Sequence, residues 1–225
     1  MASLGQLRQD VMLWLNRQDV DAGNAFTSWV TLTEIQIAQT LRHRCMVTTA
    51  DQAIDRPYIP LPPDFATLQS VRDKASGEIL ALKDMWSGHW QDGQDGMMWP
   101  DPVSTGTAPA AARAYRLMGG CLEFLPHPYL PSPPDPTYQF QVVEVLYYAK
   151  PRPLLLSTDT NAVLEQLYSV YLYGCLKHGA IWAENDSRAQ QMDALFRSAV
   201  TSADLHTQQS DFSGAPFTAE LAPAF

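Results

Sequence analysis

Residues 161–184, NAVLEQLYSVYLYGCLKHGAIWAE, contain no proline and are dense in Leu, Tyr and Ala. Leu164, Leu167, Tyr171, Cys175, His178 and Trp182 recur at steps of three and four, the spacing of one helical face. Tyr168 lies beside this ridge, so the apolar face is broad. Gly174, Cys175, Gly179 and Ala180 put small side chains in the second half, where another backbone can come close despite the cost of helical glycine. The stretch reads as a nearly buried central helix with Tyr171, Gly174, Cys175 and Trp182 at packing positions. A membrane span is the competing reading, but Glu165, Lys177 and His178 interrupt it, and interior charge is costly in lipid.

The rest of the chain frames this helix. Leu4, Leu7, Val11, Trp14 and Leu15 form a first helical stripe ending near Asn16. Asp19, Asp21, Gly23 and Asn24 offer turn chemistry and an N-cap for a second helix over about 25–46, with Phe26, Trp29, Val30, Ile37 and Leu41 inward. Glu34, Arg42 and Arg44 give that helix a charged, solvated or interfacial side. Asn185-Asp186-Ser187 ends the central helix and caps a last one over about 187–207, with Met192, Leu195, Phe196, Ala199 and Val200 inward.

Between the helical pairs the character changes. Seventeen prolines crowd toward the middle, so the chain is not one continuous bundle. Residues 66–73 and 78–82 read as strands around a Lys74–Gly77 turn, and residues 113–118 and 121–125 as a hairpin around Gly119-Gly120. Residues 138–148 are the strongest strand. The expected fold is therefore mainly α: an antiparallel bundle of about four helices, two N-terminal and two C-terminal, with a small antiparallel β module inserted between them. The expected organisation is 1–46, an N-terminal helical pair; 47–152, a Pro-rich β module with a long loop; 153–208, the C-terminal helical pair; and 209–225, an extended tail.

The chemistry-bearing motifs are sparse. The five histidines are scattered, and neither HExxH nor CxxC occurs, so no metal is expected. No GxSxG, GxGxxG or Walker loop is present, so no cofactor is expected. Residues 92–96, DGQDG, lack the ligand spacing and closing Glu of a calcium loop. Cys45, Cys121 and Cys175 read as reduced core residues of a cytosolic protein, and Cys175 beside His178 as a buried thiol next to an ordinary histidine. No basic and apolar leader opens the sequence, so no secretion signal is expected. A net charge of −9 argues against nucleic-acid binding through a broad basic face. Arg8, Arg17, Arg42, Arg44 and His43 form the nearest approach to a basic cluster, read as salt bridges to Asp10, Asp19 or Glu34, with contact to a partner or DNA as the alternative. Trp86, Trp90 and Trp99 stand in a Gly/Asp/Pro-rich loop over 86–109, either packed on the β module or exposed as a possible interaction anchor.

Three groups of segments resemble the head-to-tail adaptor (connector) proteins of short-tailed and related bacteriophages. They are WLNRQD at 14–19 with LRHRCM at 41–46; LPPDF at 61–65 with YRLMGGCLEFLPHP and YYAKPRPL; and VYLYGCLKHGAIW followed by NDSRAQQMDALFRSAV. In order and spacing they run from Leu4 to Val200. The loop over 86–109 and the Pro-rich connector near Pro131 depart from the pattern. The resemblance implies a structural protein rather than a catalyst. It implies a homo-oligomeric ring, twelve-fold in that family, beneath the portal protein ring, with tail or nozzle proteins at the opposite end. Genomic DNA would pass through the channel without sequence-specific binding, no membrane is involved, and the protein is expected in the virion after synthesis in the host bacterial cytoplasm. A portal-docking tail would use Phe212, Phe217, Leu221 and Phe225. Two other classes remain open on the residues: a cell-wall-degrading virion enzyme, with Glu123 and Glu144 as the candidate carboxylate pair, and a soluble assembly chaperone.

Overall fold

The computed structural model describes residues 2–17, 19–56, 58–83, 111–125 and 140–212, the last five as backbone. The chain divides into two compact units. A helical unit combines residues 1–46 with the chain from Lys150 onward, and a β unit spans Val47–Ala149.

Five α-helices and one short 3-10 turn, Arg44–Met46, build the helical unit among the described residues. Helix α1, Leu4–Leu15, starts where the Ser3 hydroxyl accepts the Gln6 N–H and stops at Asn16, which takes the left-handed conformation at φ 54°. Asp19 then caps α2, Val20–Thr40, by accepting the Ala22 N–H. With that cap so early, Asp21, Gly23 and Asn24 join the helix instead of the turn, and α2 starts five residues before the expected Ala25. It also ends earlier than expected. Leu41 turns extended and buries fully, Asp204 draws in the Arg42 N–H, and the Arg42 guanidinium donates to the carbonyls of Ala38, Gln39 and Leu41.

The central stretch is not one helix. It breaks at Leu167 (φ −129°, ψ 50°) into α3, Ala162–Gln166, and α4, Tyr168–Trp182. No proline or glycine marks the break, and nothing in the structure explains why it falls at Leu167. Helix α4 packs against α1, α2 and α5. Gly174 lies against Thr33 of α2, and Gly179 against Leu15 and Trp29. Cys175 is fully buried, and Tyr171 with it.

Helix α5 runs from Asp186 to Phe212, past the expected end near Thr207. Residues 209–212 are therefore helical rather than part of an extended tail; the first strong breakers, Gly214 and Pro216, come later in the sequence. Met192, Phe196 and Val200 of α5 are buried, whereas Leu195, expected inward, is 40% exposed.

The β unit holds two sheets around one core. In the first, β1 (Val47–Ala53) and β3 (Phe65–Asp73) flank the central β7 (Val142–Ala149), all antiparallel. In the second the order is β2 (Tyr58–Pro60), β6 (Cys121–Leu125), β5 (Ala114–Met118), β4 (Ala81–Leu82). Strands β5 and β6 join through Gly119 and Gly120, both at positive φ, as a two-residue hairpin requires. The expected all-antiparallel module needs correction, because β4 pairs with β5 in parallel. Val143, Val145 and Tyr147 of β7 alternate inward to meet Ile59, Leu122 and Phe124 from the other sheet. Val47 pairs with Tyr148, so the chain enters and leaves this unit on adjacent strands.

The tightest helix contact generates a test. A Cβ on Gly174 would stand 2.4 Å from Thr33 Cγ2, and Thr33 is β-branched, fully buried and hydrogen-bonded to the Trp29 carbonyl. Gly174→Ala should therefore destabilise the fold by about 1–3 kcal/mol, although alanine is the better helix former. At Gly179 the nearest atom is the terminal methyl of Leu15, at 2.5 Å, so Gly179→Ala should cost clearly less. Urea titration of both variants checks this; equal losses would contradict it.

Candidate functional site

The candidate carboxylates Glu123 and Glu144 stand on different sheets. Glu123, expected on an exposed strand face, is 2% exposed and paired with the Arg116 guanidinium. Glu144 belongs to the other sheet, opposite Asp51 and Arg72 on its neighbouring strands. Burial pushes the Cys175 thiol up to about 12 and the Cys45 thiol up to about 11, so both are protonated at neutral pH. The Thr33 hydroxyl lies 3.7 Å from Cys175 Sγ. Among the described residues no cluster of three or more His, Cys, Asp or Glu side chains could hold a metal ion, and no helix is long and apolar enough to cross a membrane.

Among the described residues, the acids expected to pair with the N-terminal arginines have other partners. Asp10 accepts the Tyr168 hydroxyl, Asp19 caps α2, and Glu34 accepts the Leu154 N–H. Arg8 reaches the Gly23 carbonyl at 3.4 Å, Arg17 lies 5.8 Å over the Trp182 ring, and His43 is buried, with Nδ1 accepting the Cys45 N–H. The cluster is dismantled into separate structural contacts.

One end of the helical unit carries what the sequence reading missed. The α1–α2 and α4–α5 connections lie together there, held by Arg188 donating to the Trp14 carbonyl and by Trp182 against Trp29 at 5.7 Å. Leu13, Trp14, Val20, Ile181 and Trp182 are all at least 40% exposed around these connections. Leu13 and Val20 fall out of phase with the inward stripes of their helices, and that phase mismatch was the available signal; Ile181 shares the phase of the buried Val170 and Gly174. Trp182, expected at a packing position, is half in this surface. Phe212 is the last residue of α5, while Phe217, Leu221, Phe225, Trp86, Trp90 and Trp99 lie outside the described residues.

A buried polar relay fixes the loop that leads into α3. Asn161 caps α3 through the Leu164 N–H and donates to the Arg152 carbonyl and to the Tyr171 hydroxyl, each at 2.8 Å. The Tyr171 hydroxyl donates in turn to Glu34 at 3.5 Å, and the Leu154 N–H reaches the same oxygen at 3.0 Å. Glu34, expected on a solvated side, thus faces inward, and burial raises its carboxyl above the usual value even though both donors favour the charged form. The fold therefore takes up a proton at Glu34, a contribution complete below about pH 4.5 and lost as pH rises through the raised value. Glu34→Gln keeps an acceptor oxygen without the charge. It should raise Tm at pH 7 relative to the parent, with the gap narrowing toward pH 4.5; a gap independent of pH in calorimetry would contradict this.

The sequence matches the family model of the SU10 adaptor protein over residues 2–219. No curated protein matches it. The match spans all five helices and both sheets, from the cap of α1 to beyond the end of α5, and the chain belongs to the SU10 adaptor protein family.

Proposed function

We propose that this protein is a head-to-tail adaptor of a tailed bacteriophage. Copies assemble as a twelve-fold ring beneath the portal, extend the DNA channel, and provide the attachment site for tail or nozzle proteins. The observation that carries this reading is the family match across residues 2–219. The protein is then a component of the virion, made in the host cytoplasm, and acts by holding other proteins rather than by catalysis. A net charge of −9 suits a wall past which DNA slides, because an acidic surface does not replace the counterions on phosphate. The aromatic residues around the α1–α2 and α4–α5 connections are the kind of side chain that anchors a protein interface, and they support a partner at that end. Phe212, Phe217, Leu221 and Phe225 are the proposed contacts to the portal. A short segment of this kind gains affinity from the ring that holds it near its site, not from large area. Trp86, Trp90 and Trp99 are proposed as a further interaction contact.

Purified protein mixed with portal rings of the cognate phage and imaged by electron microscopy should show an added ring of density under the portal. Intact portal rings with nothing added would overturn the reading. Deleting residues 214–225 should leave the melting temperature unchanged and abolish portal binding. A truncated protein that still binds would show that the docking contact lies elsewhere in the chain.

A further inference from the structure

Helices α2 and α5 both pack on α4 and rise from the same end of the helical unit. Their starts meet at the two helix connections. Near their C-terminal ends, the Arg42 N–H donates to Asp204 and the Arg44 N–H to Thr207, separations of 162 and 163 residues. The contacts along α4 keep this register: Gly174 faces Thr33 of α2, and Lys177 pairs with Asp193 of α5 at 2.8 Å. Residues about 163 apart therefore stand at one height, and Leu32 and Leu195 are 195 − 32 = 163 apart. Both are exposed, at 46% and 40%, and Ile35 beside Leu32 is exposed at 49%.

The outward face of α2 is also uncharged, and that of α5 carries only Arg197, ion-paired to Asp193, and His206 at its margins. Between residues 24 and 40 the one ionisable side chain is Glu34, which faces inward; Thr27, Ser28, Thr31, Leu32, Ile35 and Gln39 face out. On α5 the outward stripe is Gln191, Ala194, Leu195, Ser198, Ser202 and Leu205, with the Asp193–Arg197 ion pair beside it. Solvated helix faces ordinarily interleave charges of both signs. Copies that each carry −9 repel, and that cost is least where neither side brings a charge. Two unlike faces that meet head to tail generate a ring when the rotation closes, and a rotation about an axis along the helices preserves height.

We infer that the partner of the α2 outward face is the α5 outward face of the next copy, with Leu32 and Ile35 of one subunit against Leu195 and Ser198 of its neighbour. This rests on the ring reading above. The test uses full-length protein on portal rings, imaged by electron microscopy, with circular dichroism to verify that each variant is folded. Leu32→Lys alone and Leu195→Glu alone should each cut the fraction of portals bearing a closed ring about tenfold or more, since each buries an unpaired charge. The double variant Leu32→Lys, Leu195→Glu should restore closure, because every copy then sets the new cation against its neighbour's new anion. Closed rings in either single variant, or blocked closure in both singles without rescue in the double, would overturn the pairing while leaving the adaptor reading standing. Parent protein that forms no ring would overturn both.

Discussion

The helical unit depends on one constraint: α4 has almost no solvent-facing side through most of its length, so its neighbours must fit it rather than the reverse. Where α2 crosses, the helix offers no side chain, and Thr33 occupies the space a Cβ would take at Gly174. That contact sets the height of α2, the Lys177–Asp193 pair sets the height of α5, and Leu15 against Gly179 sets α1. Cys175 is fully buried, which is why it stays a thiol, and the inward-facing carboxylate of Glu34 is held by two donors. A buried acceptor with committed donors specifies a geometry more than it adds stability.

Much of this was legible in the residues because the signals were periodic. Leu7, Val11, Phe26, Trp29, Val30 and Ile37 are buried, and they carried the three-and-four spacing that marks an inward stripe. The Gly119-Gly120 hairpin was legible for a different reason: a two-residue turn needs positive φ twice, and glycine is the residue that supplies it freely. What escaped notice had no local signature. Strands β1 and β2 are short or polar, and Thr48, Thr49 and Gln52 become a strand only because β7 lies beside them. The break at Leu167 contains no breaker residue. The parallel pairing of β4 with β5 joins segments 33 residues apart (114 − 81), which no period within a window reports.

The candidate surfaces show the same division. Sequence placed aromatic residues in loops as contacts, because a tryptophan among glycines and prolines is conspicuous. The structure adds exposed apolar residues that are not conspicuous in sequence: ordinary Leu, Val and Ile on regular helices. Among the described residues Arg8 and Arg42 donate to backbone carbonyls and Arg17 lies over the Trp182 ring.

The side-by-side entry and exit of the β unit bears on how the chain reaches this state. Helices α2 and α4 are separated by more than a hundred residues, and joining them from a disordered chain closes a long loop at an entropic cost that grows with its length. Once β1 and β7 are paired, Val47 and Tyr148 are neighbours, and the same closure spans only residues 41–46 and 149–167. By the logarithmic scaling of loop closure, the shortening is worth about 1–1.5 kcal/mol toward docking α2 on α4. The inserted sheets thus act as a staple made of hydrogen bonds, turning a distant encounter between two helices into a local one.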